Sequence, residues 1–462
     1  MRPKEAWGRV QPPTTKTGLE KPKDVFSRNP TGYPMWTEAM KAAIDPLRRA
    51  GRKWYSLYDK VIAPANLKAA WDRINHRVTG KKRRQGAGVD GVTVAKYADR
   101  AKEDLRKLGE QLGTDRYRAS PVRRQYIPKL GSTKLRPLGL PTVRDRVVQE
   151  ACRNLIEPIF EAEFLDSSHG FRPERSVETA CVQVEQYLSE GKVWVVDLDI
   201  DKCYDSIPHD PLLDRLTRRV SDGKVLDLVR RFLKSGVMEE MNIRHETTGT
   251  PQGGIISPVL ANIFLHDLDV ALEQRGTAWV RYADDVVALC QSREEAEQVL
   301  EFIRQMLDGL GLKLSPEKTR IVHLDEGFEY LGWHYQGNQR WPRQKSVDKL
   351  RYRLHGMTRR NRPGSVQTIC AELAPIQRGW FNFFRNGNSL SACSTLDRWL
   401  RRRLRSLLRR RYKYRGISPG GDDHRRWPNS YFAQRGFFSL TDHLNDFRLM
   451  PRQLGLFSTL GD

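Results

Sequence analysis

Apolar and polar positions divide the chain into zones of different periodicity. Helical spacing begins at residues 54–78, WYSLYDKVIAPANLKAAWDRINHRV, and ends at a basic segment punctuated by glycine, residues 79–91. Short strand-like and helical segments then alternate to about residue 338, and from about residue 345 the pattern is mostly helical and strongly basic. Residues 1–50 are rich in proline, lysine and polar residues, which predicts an extended or loosely held arm.

Two apolar segments predict strands with carboxylates at their ends. Residues 192–200, KVWVVDLDI, are β-branched and aromatic, and Asp197 and Asp199 lie two apart, on one face of the predicted strand. Residues 278–289, AWVRYADDVVAL, predict a strand, a tight turn and a second strand, with residues 283–284 at or beside the turn.

A helix and a further strand are predicted to follow this hairpin. Residues 312–324, LKLSPEKTRIVHL, predict the strand. The order strand, helices, hairpin, helix, strand is typical of an α+β domain with an antiparallel sheet under helices. The helix is predicted to stop at the glycines at 309 and 311, and its apolar positions are Ala296, Val299, Leu300, Ile303, Leu307 and Leu310.

The carboxylates suggest metal-dependent chemistry. If the two strands are neighbours, Asp199, Asp284 and Asp285 converge. Mg²⁺ prefers such oxygen ligands, and two ions roughly 3.5–4 Å apart stabilise the attacking and leaving oxygens of a phosphoryl transfer. A pair of solvated turn aspartates is the commoner outcome for an Asp-Asp dipeptide. The flanking apolar strands argue against it, although spacing alone leaves both open.

The charge of the chain points to a polyanionic partner. Lys plus Arg total 80 against 56 Asp plus Glu, which gives a formal net charge of +24. Nucleic acid is the first candidate for such a surplus, and an acidic membrane surface is a weaker one. No apolar run approaches the roughly 20 residues that span a bilayer.

The N-terminus and the cysteines predict a cytoplasmic protein. The opening residues have no apolar core of a secretory signal. The cysteines show neither C-x-x-C pairs nor a partnering histidine pattern, which argues against a zinc finger and a disulfide framework. They are Cys152, Cys181, Cys203, Cys290, Cys370 and Cys393.

Two further segments predict nucleotide-binding loops. Residues 126–141, YIPKLGSTKLRPLGLP, place Lys129, Lys134 and Arg136 around a Gly-Ser turn, a cationic flap suited to a triphosphate. Residues 249–265, GTPQGGIISPVLANIFL, form a glycine-rich loop before an apolar helix, so that a nucleotide can approach the bare backbone. Each is weak evidence alone, since ordinary loops look similar.

In this order, the segments resemble the group II intron-encoded reverse transcriptase/maturase family. The resemblance covers nearly everything from residue 55 to the C-terminus. Besides the segments already quoted, the matching blocks are GVDG (88–91), HGFRPERS (169–176), LDIDKCYDSIPH (198–209), YADD (282–285), LGLKLSPEKT (310–319), FEYLGWHY (328–335) and PIQRGWFNFFRNG (375–387).

The resemblance implies a right-hand polymerase fold. The expected division is an N-terminal extension with the first fingers block at 1–110, fingers and palm at 111–338, a helical thumb or maturase domain at 339–416 and a basic tail at 417–462. Many relatives continue into an endonuclease domain with cysteine pairs and histidines. This chain has no such cluster, so target-site cleavage is not expected.

Motif positions also imply roles for individual residues. Asp199, Asp284, Asp285 and the backbone of Ile200 are implied to bind two Mg²⁺ ions, with Mn²⁺ as a substitute. Lys318 is implied to aid departure of pyrophosphate. Asp197 and Asp205 lie nearby without a direct metal role. The nucleotide-contacting residues implied are Lys129 and Arg136 at the triphosphate, Ile200, Tyr204 as the ring that excludes a ribose 2′-hydroxyl, and Gln252.

The function implied is an RNA-directed DNA polymerase that binds its intron RNA, assists splicing and makes cDNA for intron mobility. Its implied partners are RNA, a DNA primer or target, and dNTPs. One alternative is a free-standing relative used in repair or defence. Another is a non-enzymatic RNA-binding splicing cofactor, which the complete motifs disfavour. The implied setting is a bacterial cytoplasm.

The helix predicted at residues 398–415, RWLRRRLRSLLRRRYKYR, holds ten Lys or Arg in eighteen positions. Its leucines keep helical spacing, so one stripe packs while the other faces are cationic. Because these cations have few acidic neighbours, we expect them to contact phosphate. The aromatics of residues 375–387 are expected to pack mostly in a core.

Overall fold

A computed structural model describes residues 53–78, 84–128, 135–239, 242–244, 249, 253–414 and 421–449. The arm predicted at residues 1–50 lies outside these residues.

The N-terminal part contains helices beside a four-stranded sheet, whose last two strands come from residues 237–244. The strand order is β2-β1-β4-β5. Strand β1 is antiparallel to β2 and parallel to β4. Pro64 begins its helix, where the missing N–H costs nothing, and the Thr142 hydroxyl accepts from the Asp145 N–H at the start of another. The elements are α1 (Tyr58–Val61), α2 (Pro64–Arg77), α3 (Val94–Ala98), α4 (Ala101–Gly113), β1 (Val122–Pro128), β2 (Leu135–Leu140), α5 (Val143–Glu161), β4 (Val237–Glu239) and β5 (Asn242–Arg244).

The central part contains a four-stranded antiparallel sheet in the order β6-β7-β3-β8. Helices pack on both of its faces, which fits the predicted α+β class. Its elements are α6 (Val177–Ser189), β3 (Trp194–Asp199), α7 (Cys203–Ser206), α8 (His209–Thr217), α9 (Gly223–Leu233), α10 (Ser257–Gln274), β6 (Ala278–Tyr282), β7 (Asp285–Cys290), α11 (Arg293–Gly309) and β8 (Arg320–His323).

The C-terminal part begins with a small antiparallel sheet, β11-β10-β9, and continues as helices. Leu396, Leu400 and Leu404 are buried in the helical core, as their spacing predicts. The elements are β9 (Phe328–Tyr330), β10 (Trp333–Gln336), β11 (Gln339–Pro342), α12 (Gln344–Met357), α13 (Val366–Phe384), α14 (Leu390–Arg411), α15 (Asp422–Arg426), α16 (Asn429–Ala433) and α17 (Leu440–Leu449).

Alternate residues of the central sheet face two different cores. Val196 and Leu198 of β3 pack into a large core with the helices that precede and follow the sheet. Val195 packs on the other face with α6 and the aromatic residues of β9 and β10. Asp197 and Asp199 share the face of Val195, because side chains alternate along a strand.

The structure departs from two expectations about the C-terminal half. The strand predicted over residues 312–324 begins only at Arg320, because residues 315–319 form a turn around Pro316 in which the Thr319 N–H donates to the Ser315 carbonyl. In the region expected to be a tail, Trp427 and Phe432 pack in the same core as α14.

Two predictions about composition can be compared with the structure. All six cysteines are buried and free of disulfides. Across the described ranges, no helix combines the length and apolarity needed to cross a bilayer.

Candidate active site and nucleic-acid surface

The three aspartates meet at one edge of the central sheet. β3 and β7 are neighbours, and Asp199 lies directly opposite Asp285 in their antiparallel register. Asp284 precedes Asp285 in the turn that joins β6 to β7. Paired residues in an antiparallel sheet place their side chains on one face with Cβ atoms about 4.5–5.5 Å apart. Asp199 and Asp285 are therefore neighbours across the sheet, and Asp284 is next to Asp285 in the chain.

The backbone of this turn is tightly enclosed. Ala283 adopts φ of 61°, which is uncommon for a residue with a Cβ atom. A Cβ atom added to Gly170 would lie 2.2 Å from the Ala283 nitrogen. The His169 N–H donates to the Arg281 carbonyl, and the Arg281 N–H donates to the Ser167 carbonyl. The HGFRP segment thus packs directly on the turn and holds it, and only glycine fits at position 170.

A buried ionic network between β6 and α10 supports the same turn. The Arg281 side chain is fully buried and donates to both carboxyl oxygens of Asp269 on α10. Its Nη1 also donates to Asn262 Oδ1 at 2.9 Å and to the Ala283 carbonyl at 3.0 Å. Asn262 Nδ2 in turn donates to the Gly170 carbonyl at 2.8 Å. Sequence reasoning missed this network, although Asn262 and Asp269 are spaced seven apart on the same helix, two turns that bring them to one face.

Lys318 approaches the sheet edge from the segment after α11. Its Nζ lies 2.6 Å from Asp199 Oδ2, and the Ser315 N–H donates to the Asp199 carbonyl at 2.8 Å. Ile200 is buried and forms a bridge with Leu314, which fixes this segment along the end of β3. Two residues that the sequence placed in the site, Lys318 and Ile200, are therefore adjacent to Asp199.

The carboxylates differ in how their charges are balanced. Arg320 of β8 donates to Asp197 at 3.2 Å, and Lys318 pairs with Asp199. The pKa of Asp285 is raised to about 6, first because packing around the sheet edge withdraws water from its carboxyl and then because Asp284 and Asp199 repel its negative charge. Asp285 nevertheless keeps an exposed surface.

The donor set suits a hard divalent cation. Uncompensated carboxylate oxygens are the preferred ligands of such ions, and a cation would relieve the repulsion that raises the pKa of Asp285. As the side chains stand, no group of three His, Cys, Asp or Glu in the described ranges is arranged to hold a metal ion. The Lys318 ammonium lies on Asp199 instead.

Tyr204 lies on α7, the short helix that follows the end of β3. The tyrosine is half-buried and packs against the large core. Gly249 packs beneath this helix: it has φ of 95°, and an added Cβ atom would lie 2.8 Å from the Asp205 carbonyl oxygen. The start of the glycine-rich loop therefore contacts the segment that positions Tyr204.

The cationic flap and the glycine-rich loop also contact one another. β1 and β2 form a hairpin in which Ile127 pairs with Arg136. Gly253, with φ of 114°, would place an added Cβ atom 2.4 Å from the Gly139 carbonyl oxygen of β2. Lys129 and Gln252, and the side chain of Arg136, lie outside the described residues, so their predicted contacts have no structural counterpart here.

Comparisons with known proteins match both the polymerase part and the C-terminal helical part of the chain. A family model described as "Reverse transcriptase (RNA-dependent DNA polymerase)" matches residues 127–335, and one described as "Group II intron, maturase-specific domain" matches residues 347–427. Protein YkfC of Escherichia coli (strain K12) is 35% identical over 284 residues, which are 53% of this chain and 74% of that protein. The chain belongs to the group II intron reverse transcriptase/maturase family.

Other members of the family are longer than the part matched. The group II intron-encoded protein LtrA of Lactococcus lactis subsp. cremoris is 32% identical over 314 residues, covering 54% of this chain and 52% of LtrA. The putative COX1/OXI3 intron 2 protein of Saccharomyces cerevisiae is 32% identical over 288 residues, covering 50% of this chain and 34% of that protein. The family fold is the right-hand polymerase followed by a maturase domain, and its polymerases depend on divalent metal ions and bind RNA and DNA.

The basic helix of the maturase domain, α14, differs from the expected cationic surface. Arg405 is buried and donates to the Trp427 carbonyl at 2.9 Å, Arg401 donates to Ser439 at 3.2 Å, and Arg409 pairs with Asp423 at 3.0 Å. The expectation that the arginines lack internal partners is wrong for these three, because residues 422–449 fold back over the helix. It is also wrong for Arg403, which donates to the Thr358 carbonyl at 2.9 Å, and for Arg411, which donates to the Arg362 carbonyl at 2.8 Å. Exposed positions remain at Arg398, Arg402, Arg410, Arg411 and Lys413.

Proposed function

We propose that this chain is an RNA-directed DNA polymerase that binds a group II intron RNA, assists its splicing and makes cDNA for intron mobility. One observation supports the polymerase most strongly: Asp199 lies directly opposite Asp285, with Asp284 in the adjoining turn. Like charges opposite each other destabilise a sheet. Cations bound at this edge would offset that cost, so the arrangement fits a metal-dependent site better than a structural one.

The cofactors we propose are two Mg²⁺ ions, for which Mn²⁺ can substitute. Asp199 and Asp284 would hold both ions, Asp285 would take a peripheral position, and the backbone of Ile200 would contribute an oxygen ligand. When bound, the ions stabilise the attacking and leaving oxygens of nucleotidyl transfer. Binding at Asp199 requires Lys318 to share or release the oxygen that it contacts at 2.6 Å.

The remaining residues act on the nucleotide in this proposal. Lys318, released from Asp199, aids departure of pyrophosphate by electrostatic attraction or by donating a proton. Lys129 and Arg136 bind the triphosphate from the flap, and Gln252 contacts the nucleotide or the template pair. These assignments follow motif position.

Substitutions at Tyr204 test whether this ring makes the polymerase select deoxynucleotides. The Tyr204→Val variant is expected to raise incorporation of rNTP relative to dNTP on a primed RNA template, because a smaller side chain leaves space for the 2′-hydroxyl. Steady-state incorporation of single dNTP and rNTP substrates measures the ratio. Tyr204→Phe keeps the ring and is expected to keep the wild-type ratio. Equal ratios in all three proteins would remove Tyr204 from this role, and a wild-type chain without any incorporation would favour the splicing cofactor.

Binding of intron RNA is supported by the maturase-specific domain and its charge. We propose that residues 111–338 form fingers and palm and residues 339–416 the thumb, with residues 427–444 completing the thumb core. Arg402 and Arg410 on α14 are exposed. Such cations contact phosphates without reading sequence, so recognition of one particular RNA requires additional contacts.

The exposed arginines of α14 predict a salt-dependent contribution to RNA affinity. Replacing Arg398, Arg402 and Arg410 by Gln is expected to reduce the slope of log K against log salt by about 0.7–0.9 for each phosphate that the protein no longer neutralises. Fluorescence anisotropy with a labelled RNA at several salt concentrations measures this slope.

Three exposed arginines on other helices provide a matched control for this triple variant. Arg106, Arg293 and Arg304 are also exposed, but each pairs with a glutamate three or four residues away. Their replacement by Gln removes the same charge and is expected to change the slope less. Equal slopes for the two triple variants would show that α14 has no special contact with RNA.

A further inference from the structure

Two exposed tyrosines stand at the C-terminal end of α14. Tyr412 is 61% exposed and Tyr414 is 43% exposed, although both are large and largely apolar. Lys413 between them has φ of 55°, and the Tyr414 N–H donates to the Arg409 carbonyl at 3.0 Å. This reversal brings the two rings to the same side of the chain, with centroids 6.5 Å apart.

A buried tryptophan holds the pair in place. The Tyr412 ring stacks on Trp427 with centroids 6.0 Å apart and planes inclined by 29°, and Tyr414 meets the same indole edge-on at 6.2 Å. Trp427 is itself 5% exposed and belongs to the thumb core. The tyrosines are therefore supported from beneath by a rigid ring while much of their surface remains open to solvent.

The surroundings of the rings are positively charged. Arg410, Arg411, Lys413 and Arg426 are exposed, and the Arg426 guanidinium lies 4.0 Å from the centre of the Tyr414 ring. The two neighbouring carboxylates are already engaged, Asp422 with Arg425 and Asp423 with Arg409. Within the described ranges, no carboxylate is paired with any of these four cations.

Supported aromatic rings among cations that no described carboxylate neutralises suit a single-stranded nucleic acid. Bases stack on aromatic rings whatever their sequence, while the cations contact the backbone phosphates. A protein partner is a poorer fit, because charged residues are depleted at the centres of protein interfaces. A purely structural role would bury the outer faces of the rings, as it buries Trp427.

We propose that Tyr412 and Tyr414 form a base-stacking platform for single-stranded RNA, with Arg410 and Lys413 positioned to contact its phosphates. The proposal specifies one surface within the RNA binding proposed above, and it rests on that binding. It is independent of the polymerase site, because the residues involved lie on the thumb.

Affinity for two probes separates stacking from phosphate contact. The probes are a fluorescein-labelled oligouridine and an abasic ribose-phosphate oligomer of the same length, each titrated with the full chain. The Tyr412→Leu/Tyr414→Leu variant keeps apolar contact with Trp427 and is expected to bind oligouridine at least about fivefold more weakly. The slope of log K against log salt should stay unchanged, since no cation is removed.

Two controls exclude effects on folding and on general affinity. The Tyr412→Phe/Tyr414→Phe variant keeps both rings and should bind oligouridine as the wild type does. Tyr352→Leu removes a tyrosine that is 71% exposed on α12 and is expected to leave affinity unchanged. The melting temperature of each variant should match that of the wild type.

Several outcomes would overturn the platform. These are unaltered oligouridine affinity in the double leucine variant, an equal loss on the abasic probe, or a loss in the phenylalanine variant as large as that in the leucine variant. Primer extension by the wild-type chain is measured separately. If the wild-type chain did not extend primers, the polymerase proposal would be contradicted, but the measured affinities for oligouridine would still test the stacking platform.

Discussion

Primer extension by the Asp284→Ala variant is expected to fall by at least about a thousandfold, while binding of RNA persists. Metal ions contribute several kcal/mol to stabilising a phosphoryl-transfer transition state, and about 1.4 kcal/mol corresponds to a factor of ten in rate. Asp284 lies in the turn between β6 and β7, so its removal leaves the strand pairing intact. Incorporation of dTTP on an oligo(dT)-primed poly(rA) template measures the loss.

Two further variants make this result specific to the site. Asp284→Asn keeps the shape of the side chain and is expected to be nearly as inactive, because an amide is a poor substitute for a charged ligand. Glu294→Gln changes an exposed carboxylate at the start of α11, which follows the end of β7 opposite to Asp285, and is expected to extend primers normally. Wild-type rates in Asp284→Ala would exclude this carboxylate from the chemistry.

Arg281→Met is expected to destabilise the polymerase domain by about 3–5 kcal/mol. The substitution leaves the Asp269 carboxylate buried without its partner, and breaking a buried ion pair in this way has a cost of that size. The free energy of unfolding from urea titrations, compared with that of the wild type, measures the effect. The remaining folded protein should also extend primers more slowly, because Arg281 donates to the Ala283 carbonyl in the catalytic turn.

A double variant distinguishes the effect of charge pairing from the effect of packing. Replacing Asp269 by Leu together with Arg281→Met removes both charges and is expected to recover part of the stability. Arg293→Gln breaks only an exposed pair with Glu297 and should change stability by less than about 1 kcal/mol. If Arg281→Met were as stable as Arg293→Gln, the buried network would not be needed to hold the turn.

The local structure of the site could be predicted because its sequence pattern is strong. The β-branched residues before Asp199 and the apolar residues on both sides of Asp284 predict strand and hairpin directly. The register that sets Asp199 opposite Asp285 could not be predicted, since pairing between distant strands depends on the whole fold. The order of the motifs indicated the family, and the fold of that family led us to expect that these strands are neighbours.

Long-range polar contacts were the features that periodicity could not predict. Arg281, Asp269 and Asn262 come from two elements, and only packing shows that they share one buried network. The inward arginines of α14 were missed for the same reason. Arg405 is satisfied by the Trp427 carbonyl, an acceptor on a segment that the sequence pattern suggested was a tail.

Metal dependence of extension by the unaltered chain tests the central claim most directly. The wild-type protein is given oligo(dT)-primed poly(rA) and dTTP, first with EDTA and then with Mg²⁺ added in excess of the chelator. We predict no extension in EDTA and full extension once Mg²⁺ is restored. Extension that continues in EDTA, or no extension with Mg²⁺ or Mn²⁺ by a folded protein that binds the template, would contradict the assignment of Asp199, Asp284 and Asp285 as a metal-dependent polymerase site.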